Sequence, residues 1–136
     1  MVIEYRPIQV QDYEKVRRFL SELGWQNRVQ DSLRFDRMME RADRTTVAFE
    51  GTRVVGFGRA LCDGVSNGYL SMIAVAADKR RQGIGREIVH RLMAEGEEGQ
   101  ITWVLRAGRD SGAFWRKLGF TESQIAMERT RQIEEK

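Results

Sequence analysis

One cysteine, one proline and one histidine stand in a chain of 136 residues. A lone cysteine, Cys62, makes no internal disulfide; this excludes a disulfide-built scaffold and suits a reducing compartment. A lone histidine, His90, with no thiols or carboxylates grouped at ligand spacing, gives no reason to expect a metal site. No apolar run is long enough to cross a membrane. The stretch Met1-Val2-Ile3-Glu4-Tyr5-Arg6 lacks the apolar region of a signal peptide. No repeat, low-complexity tract or linker divides the chain. These absences lead to the expectation of a single cytoplasmic domain over residues 1–136, with no membrane partner and a polar tail, 130–136, that frays.

What is present fits a globular domain: 41% hydrophobic and 32% charged residues, enough to build a core and a solvated surface. The net charge of +3 and pI near 9.3 are mild. They suit an anionic ligand as well as a nucleic acid.

Periodicity supplies a coarse order of elements. Residues 2–6 read as a strand. Residues 12–23 read as a helix with Tyr13, Val16, Phe19, Leu20 and Leu23 on one face, stopped by Gly24. A weaker helical pattern runs over 33–42. Strands at 45–49 and 54–62 flank the turn Glu50-Gly51-Thr52, and another spans 69–75. A helix covers 84–93, its end bracketed by Gly96 and Gly99. A strand at 101–107 follows, with Ile101, Trp103 and Leu105 on one side. Asp110 is a candidate N-cap for a short helix through Leu118, closed by Gly119. Two short strands are expected at 120–123 and 125–129. This order predicts an α/β chain whose mixed sheet carries helices on its faces.

The most informative stretch is Arg80-Arg81-Gln82-Gly83-Ile84-Gly85-Arg86. A strand, a glycine turn and a helix start place unpaired N–H groups, a closely approachable backbone and positive charge together, which is an anion site. A dinucleotide fingerprint needs glycine or alanine where Ile88 stands, and a nucleotide P-loop needs Lys and Ser/Thr after the last glycine, where Arg86 and Glu87 stand. The bland reading of the arginines is a solvated basic face.

The spacing that remains, Arg80-x-x-Gly83-x-Gly85 after the strand Tyr69-Leu70-Ser71-Met72-Ile73-Ala74-Val75, resembles the signature of the GNAT superfamily of acyl-CoA-dependent N-acyltransferases. Phe114-Trp115-Arg116-Lys117-Leu118-Gly119-Phe120 resembles the closing helix and Leu-Gly-Phe turn of that family, and the likeness runs through nearly the whole chain. It implies a mixed, mostly antiparallel central sheet flanked by about four helices. It further implies an acetyl-CoA-dependent N-acetyltransferase acting by direct attack of a small-molecule or peptide amine on the thioester. The residues it assigns to coenzyme A are Ile73, Ala74 and Val75 for the pantetheine arm and acyl carbonyl, and Arg80, Arg81, Gln82, Gly83, Ile84, Gly85 and Arg86 for the pyrophosphate. It adds Ser111 and Phe114 on the last helix. A splay between the strands at 69–75 and 101–107 would admit the arm. A homodimer is one assembly it suggests; nucleic acid and membrane are not expected partners.

The chain departs from the family pattern in places. Trp115 stands where many members carry the tyrosine that protonates the departing thiolate, and an indole N–H is a poor acid. Gly108 replaces a usual asparagine, and Ala77 a frequent proline. Tyr69 and Ser71 are substitute hydroxyls, and Glu50 and Asp63 are candidate bases for an ammonium acceptor; as a bland reading, the two carboxylates are ordinary turn residues. Trp25 and Phe35 are candidates to line the acceptor pocket, or to pack plainly. Cys62 reads as small apolar filler rather than a nucleophile, and His90 as a helix-edge residue. A non-catalytic acyl-CoA binder of the same fold is the alternative function, and a nucleic-acid module the third.

Overall fold

A computed structural model describes residues 2–94, 99–108 and 110–131. The chain divides into two compact units, Met1–Arg106 and Ala107–Lys136. The first unit holds a five-stranded sheet in the order β1-β2-β3-β4-β5: β1 (Glu4–Arg6), β2 (Arg44–Glu50), β3 (Arg53–Cys62), β4 (Asn67–Val75) and β5 (Thr102–Leu105). The first four strands pair antiparallel, and β4 with β5 pairs parallel. Helices α1 (Tyr13–Leu20), α2 (Gln26–Val29) and α3 (Ser32–Arg41) lie between β1 and β2, and α4 (Ile84–Met93) lies between β4 and β5.

The helix expected over 12–23 runs as α1 through Leu20 and continues as a wider helical turn until Gly24, whose φ of +96° breaks it as expected, before the single-turn α2. That extra turn, with α5 in the second unit, gives five α-helices among the described residues, in line with the expected flanking helices. Asp31 caps α3 by accepting from the Arg34 N–H at 3.0 Å. Buried Val16, Phe19 and Leu20 give α1 its apolar face, and Phe35 and Met39 do the same for α3.

The two sheet faces can be assigned from β3. A Cβ built on Gly56 would meet Ile88 Cδ1 at 2.8 Å. One built on Gly58 would meet Ile88 Cγ2 at 2.7 Å and Leu92 Cδ1 at 2.9 Å. Both glycines therefore face α4 and let it sit close to the sheet. Alternate residues along a strand point to opposite faces, so Val55, Phe57 and Arg59 face the other way.

The second unit contains α5 (Gly112–Lys117). Its N-cap position is Ser111 rather than Asp110, which adopts φ of +61°. Gly119, at φ of +94°, closes it as expected. The strands expected at 120–123 and 125–129 do not form: this segment pairs with no strand among the described residues, and Ile125 and Met127 are exposed. Alternation alone does not make a strand; a pairing partner does. Gly96 and most of the tail 130–136 lie outside the described residues.

Candidate active site

Strand β4 keeps only one of its two neighbours along its whole length. Its register with β5 runs from Asn67↔Thr102 to Leu70↔Leu105 and stops there. On the other side its register with β3 slips by one residue: Arg59 faces Ser71, but Phe57 faces Ala74. Met72 sits in this bulge with φ of +59°, a left-handed conformation that costs a side-chain-bearing residue on the order of 1 kcal/mol or more. Beyond the bulge the Ala76 N–H donates to the Val55 carbonyl at 2.9 Å. Antiparallel alternation then turns the N–H and C=O of Ala74 toward β3 and those of Ile73 and Val75 away from it. Among the described residues, no strand pairs with the Ile73 and Val75 edge. Pairing with β5 thus stops at Leu70, where β5 itself ends at Leu105, and the backbone donors and acceptors of Ile73 and Val75 are left without a strand partner among the described residues.

The chain then turns through 77–79, which two ion pairs hold down. Lys79 Nζ donates to Glu50 at 2.8 Å, and Arg53 makes a two-pronged contact with Asp78 at 2.7 and 3.0 Å. Arg80 Nε reaches the Val75 carbonyl at 3.4 Å. Arg81 and Gly83 both take positive φ, +65° and +83°, and the Glu87 N–H closes the first turn of α4 on the Gly83 carbonyl at 3.0 Å. Gly83 is the N-cap and offers no side chain, so the first amides of α4 carry no side-chain cap. Arg80, Arg81, Gln82 and Arg86 are exposed around them, while Ile84 and Gly85 are buried. Uncapped amides at a helix start, in a stretch with three exposed arginines, favour an anion.

The remaining candidates fall in different places. Glu50 already engages Lys79, so its carboxylate anchors the turn before the glycine loop. Asp63 accepts from the N–H groups of Val65, Ser66 and Asn67 and from the Ser66 hydroxyl. These bonds, the hydroxyl first, hold its pKa far below the carboxylate range. A carboxylate so stabilised is a weak base near neutrality and serves to shape its loop. Tyr69 and Ser71 lie on the β4 face away from α4, opposite Leu61 and Arg59. Phe35 is completely enclosed and packs the core instead of lining an open pocket. Trp25 is half-buried, with the Arg28 guanidinium 4.9 Å above its ring. His90 is exposed on α4, and Cys62 is half-buried at the end of β3.

In the second unit, the Ser111 hydroxyl donates to the Gly108 carbonyl at 2.7 Å. Trp115 is buried and meets Phe114 and Phe120 edge-on, at ring distances of 4.9 and 5.3 Å. It is an aromatic core for that unit. Among the described residues, no group of three or more His, Cys, Asp or Glu side chains gathers as a metal site, and no helix is long and apolar enough to cross a membrane.

Two residues of this region escaped the sequence reading. Met72 gave no signal, because nothing in its type marks a bulge. Arg59 gave one: it is the single charged residue inside the run Val54–Cys62.

Comparison with known proteins agrees with this geometry. A solved protein of Xanthomonas campestris assigned to the GNAT family superposes with a TM-score of 0.81 at 19% identity, over 96% of this chain and 94% of that one. Glucosamine-6-phosphate N-acetyltransferase from Arabidopsis thaliana superposes at 0.74 with 18% identity, over 97% and 100%. A predicted acetyltransferase with acetyl-CoA from Clostridium acetobutylicum gives 0.76 at 15%, over 95% and 96%. At such identities the likeness is one of fold. In sequence, the uncharacterized N-acetyltransferase ycf52 of Porphyra purpurea is 34% identical over 70 residues, which is 51% of this chain and 40% of that relative. The family model of the GNAT acetyltransferase domain matches residues 41–122, spanning the glycine turn, the split strand and the Leu-Gly-Phe turn. The chain belongs to the GNAT acetyltransferase family.

Proposed function

We propose that this protein transfers an acetyl group from acetyl-CoA to a primary amine by direct attack within a ternary complex. The observation that carries the reading is the succession along the chain: the open Ile73–Val75 edge is followed, after the pinned turn at 77–79, by the uncapped start of α4. A pantetheine arm carries amides that pair with a strand edge, and a pyrophosphate carries the charge that a helix start with arginines attracts. Gln82 and the amides from Arg81 to Arg86 would hold the pyrophosphate, and the Ile73 and Val75 backbone would align the arm. The Ile73 N–H, aimed away from β3 beside the bulge, is the donor placed to polarise a thioester carbonyl.

The chemistry asks little more of the chain. The neutral amine attacks the thioester carbon and the C–S bond breaks. The acetyl group passes to nitrogen, and the nitrogen proton goes to solvent or to the thiolate. A thiol with a pKa near ~8.5 is already a fair leaving group. General acid help is worth roughly 100- to 10,000-fold, and positioning with carbonyl polarisation supplies terms as large. A tryptophan at position 115 is therefore compatible with turnover. It is also the observation that favours the second reading, an acyl-CoA binder without catalysis, because its indole offers no acidic hydroxyl.

Incubation with acetyl-CoA and a broad amine panel, read by product mass and thiol release, separates the two. Transfer predicts equal amounts of acetylated amine and free thiol. Thermal stabilisation by coenzyme A with no product on any amine supports the binder. No stabilisation and no product contradicts both.

A further inference from the structure

Arg59 has no part in the chemistry proposed above, and its surroundings do not explain it. It stands in the middle of β3, and its Nε is shut off from solvent with no hydrogen-bond partner. No carboxylate among the described residues pairs with its guanidinium. The cation whose charge acts on it is Arg28 of α2. Burial and then Arg28 lower its pKa from the usual arginine value, with Tyr69 acting the other way. The group stays charged nonetheless, because guanidinium does not deprotonate in proteins. A half-buried cation without a counter-ion is unfavourable, and a second cation beside it makes it more so. A ligand that brings the anion removes that cost.

The position narrows the ligand. Arg59 faces Ser71, the residue immediately before the Met72 bulge, and shares with Ser71 and Tyr69 the sheet face turned away from α4. The glycine turn begins beyond Val75. At ~3.3 Å per strand residue, Ser71 to Val75 alone spans about 13 Å. An anion at Arg59 is therefore not the pyrophosphate. It lies level with the point where β4 leaves β5, where the thioester is placed under the proposed function.

We propose that Arg59, assisted by Arg28, binds a carboxylate or phosphate carried by the amine acceptor, and so selects acceptors that bear both an amine and an oxyanion. The planar guanidinium takes either group with two parallel N–H bonds. The oxyanion anchors the acceptor on the β3–β4 face beside Ser71, and its amine is presented at the β4 edge. Arg59 is a specificity residue in this scheme, without a proton-transfer role. The inference rests on the acetyl-transfer reading for the identity of the ligand, not for the binding of the anion.

The test uses a panel of amino acids and phosphorylated amines, each paired with its neutral counterpart, from glycine with glycinamide and phosphoethanolamine with ethanolamine upward. Binding is read as thermal shift without acetyl-CoA, and turnover as thiol release with it, for the unsubstituted chain, Arg59→Gln and Arg59→Lys. The anionic members are expected to bind, the neutral ones at least tenfold more weakly. Arg59→Gln is expected to lose roughly 10- to 100-fold in affinity and in kcat/KM for anionic members, through KM. Its effect on neutral members stays within about twofold, and its coenzyme A shift is unchanged. Arg59→Lys, which keeps the charge in the fold, falls between the two. Whether amino acids or phosphorylated amines respond identifies the oxyanion. The inference is overturned if no member binds in a charge-dependent way, if Arg59→Gln weakens both members of each pair equally, or if Arg59 instead discriminates succinyl-CoA from acetyl-CoA. A missing coenzyme A shift alongside charge-dependent amine binding would refute the cofactor reading and leave this inference standing.

Discussion

Gly83→Ala separates a backbone that merely folds from one that binds an anion. Gly83 has φ of +83°, and a Cβ built there meets nothing within 4 Å. The substitution therefore brings left-handed strain and no clash, about 1–2 kcal/mol, or a fall of roughly 3–8 °C in Tm for a domain of this size. The open space that the methyl enters is where a pyrophosphate would approach the α4 amides. Losing about two charge-assisted bonds there costs on the order of 3 kcal/mol, or ~100-fold in affinity. At a coenzyme A concentration 100 times the Kd, the unsubstituted chain gains about 2.7 kcal/mol; a 100-fold weaker variant gains about 0.4 kcal/mol. Thermal melts with and without coenzyme A read both effects. Gly51→Ala is the control: φ is +61° there, space is equally open, and the site is the β2–β3 turn. It is expected to lose similar stability and keep the full ligand shift. A full shift in Gly83→Ala on top of a lowered baseline refutes the pyrophosphate assignment.

Three further outcomes follow from the packing and charge. Gly58→Val places branched carbon where a Cβ alone would lie 2.6 Å from Ile73 Cδ1 and 2.7 Å from Ile88 Cγ2, and is expected to lower stability by about 2–3 kcal/mol in urea melts. Trp115→Ala removes the ring enclosed by Phe114 and Phe120 and is expected to cost about 3 kcal/mol, read by near-ultraviolet dichroism and melting. Asp12, buried and held by Arg6 at 2.6 and 3.0 Å, has its pKa lowered chiefly by that bonded pair. Its contribution is complete above the unfolded carboxylate pKa near ~3.9 and is lost as pH falls toward the lower folded value. Asp12→Asn is expected to lower stability at pH 7 and to flatten the decline measured between pH 5 and 2; an unchanged acid decline would contradict the pairing.

Local features were legible where local rules decide. The helix over 84–93 coincides with α4 because Ile84, Ile88, Val89 and Leu92 repeat at helical spacing and Gly83 starts the turn. The β2–β3 hairpin followed from Gly51. Nonlocal features were not legible. The bulge at Met72 arises from the register that β4 adopts against β3, and no residue type announces it. The segment 120–129 has strand-like alternation but no partner among the described residues, so its apolar Ile125 and Met127 stay in solvent. Asp63 has the residue type of a base, yet its loop consumes its oxygens. Arg59 is the converse: its charge in an apolar strand was visible, and only the buried, unpartnered Nε gives that charge a meaning.

The central claim is that the open β4 edge and the α4 start hold acetyl-CoA for direct transfer to an amine. The most direct measurement is a time course of this protein with isotopically labelled acetyl-CoA and the amine panel, following label on thioester, amine and protein together. The account predicts that label leaves the thioester only when an amine is present, reappears on that amine in equal amount, and never accumulates on the protein. Label retained on the thioester with every amine, or passing first to the protein, would contradict it.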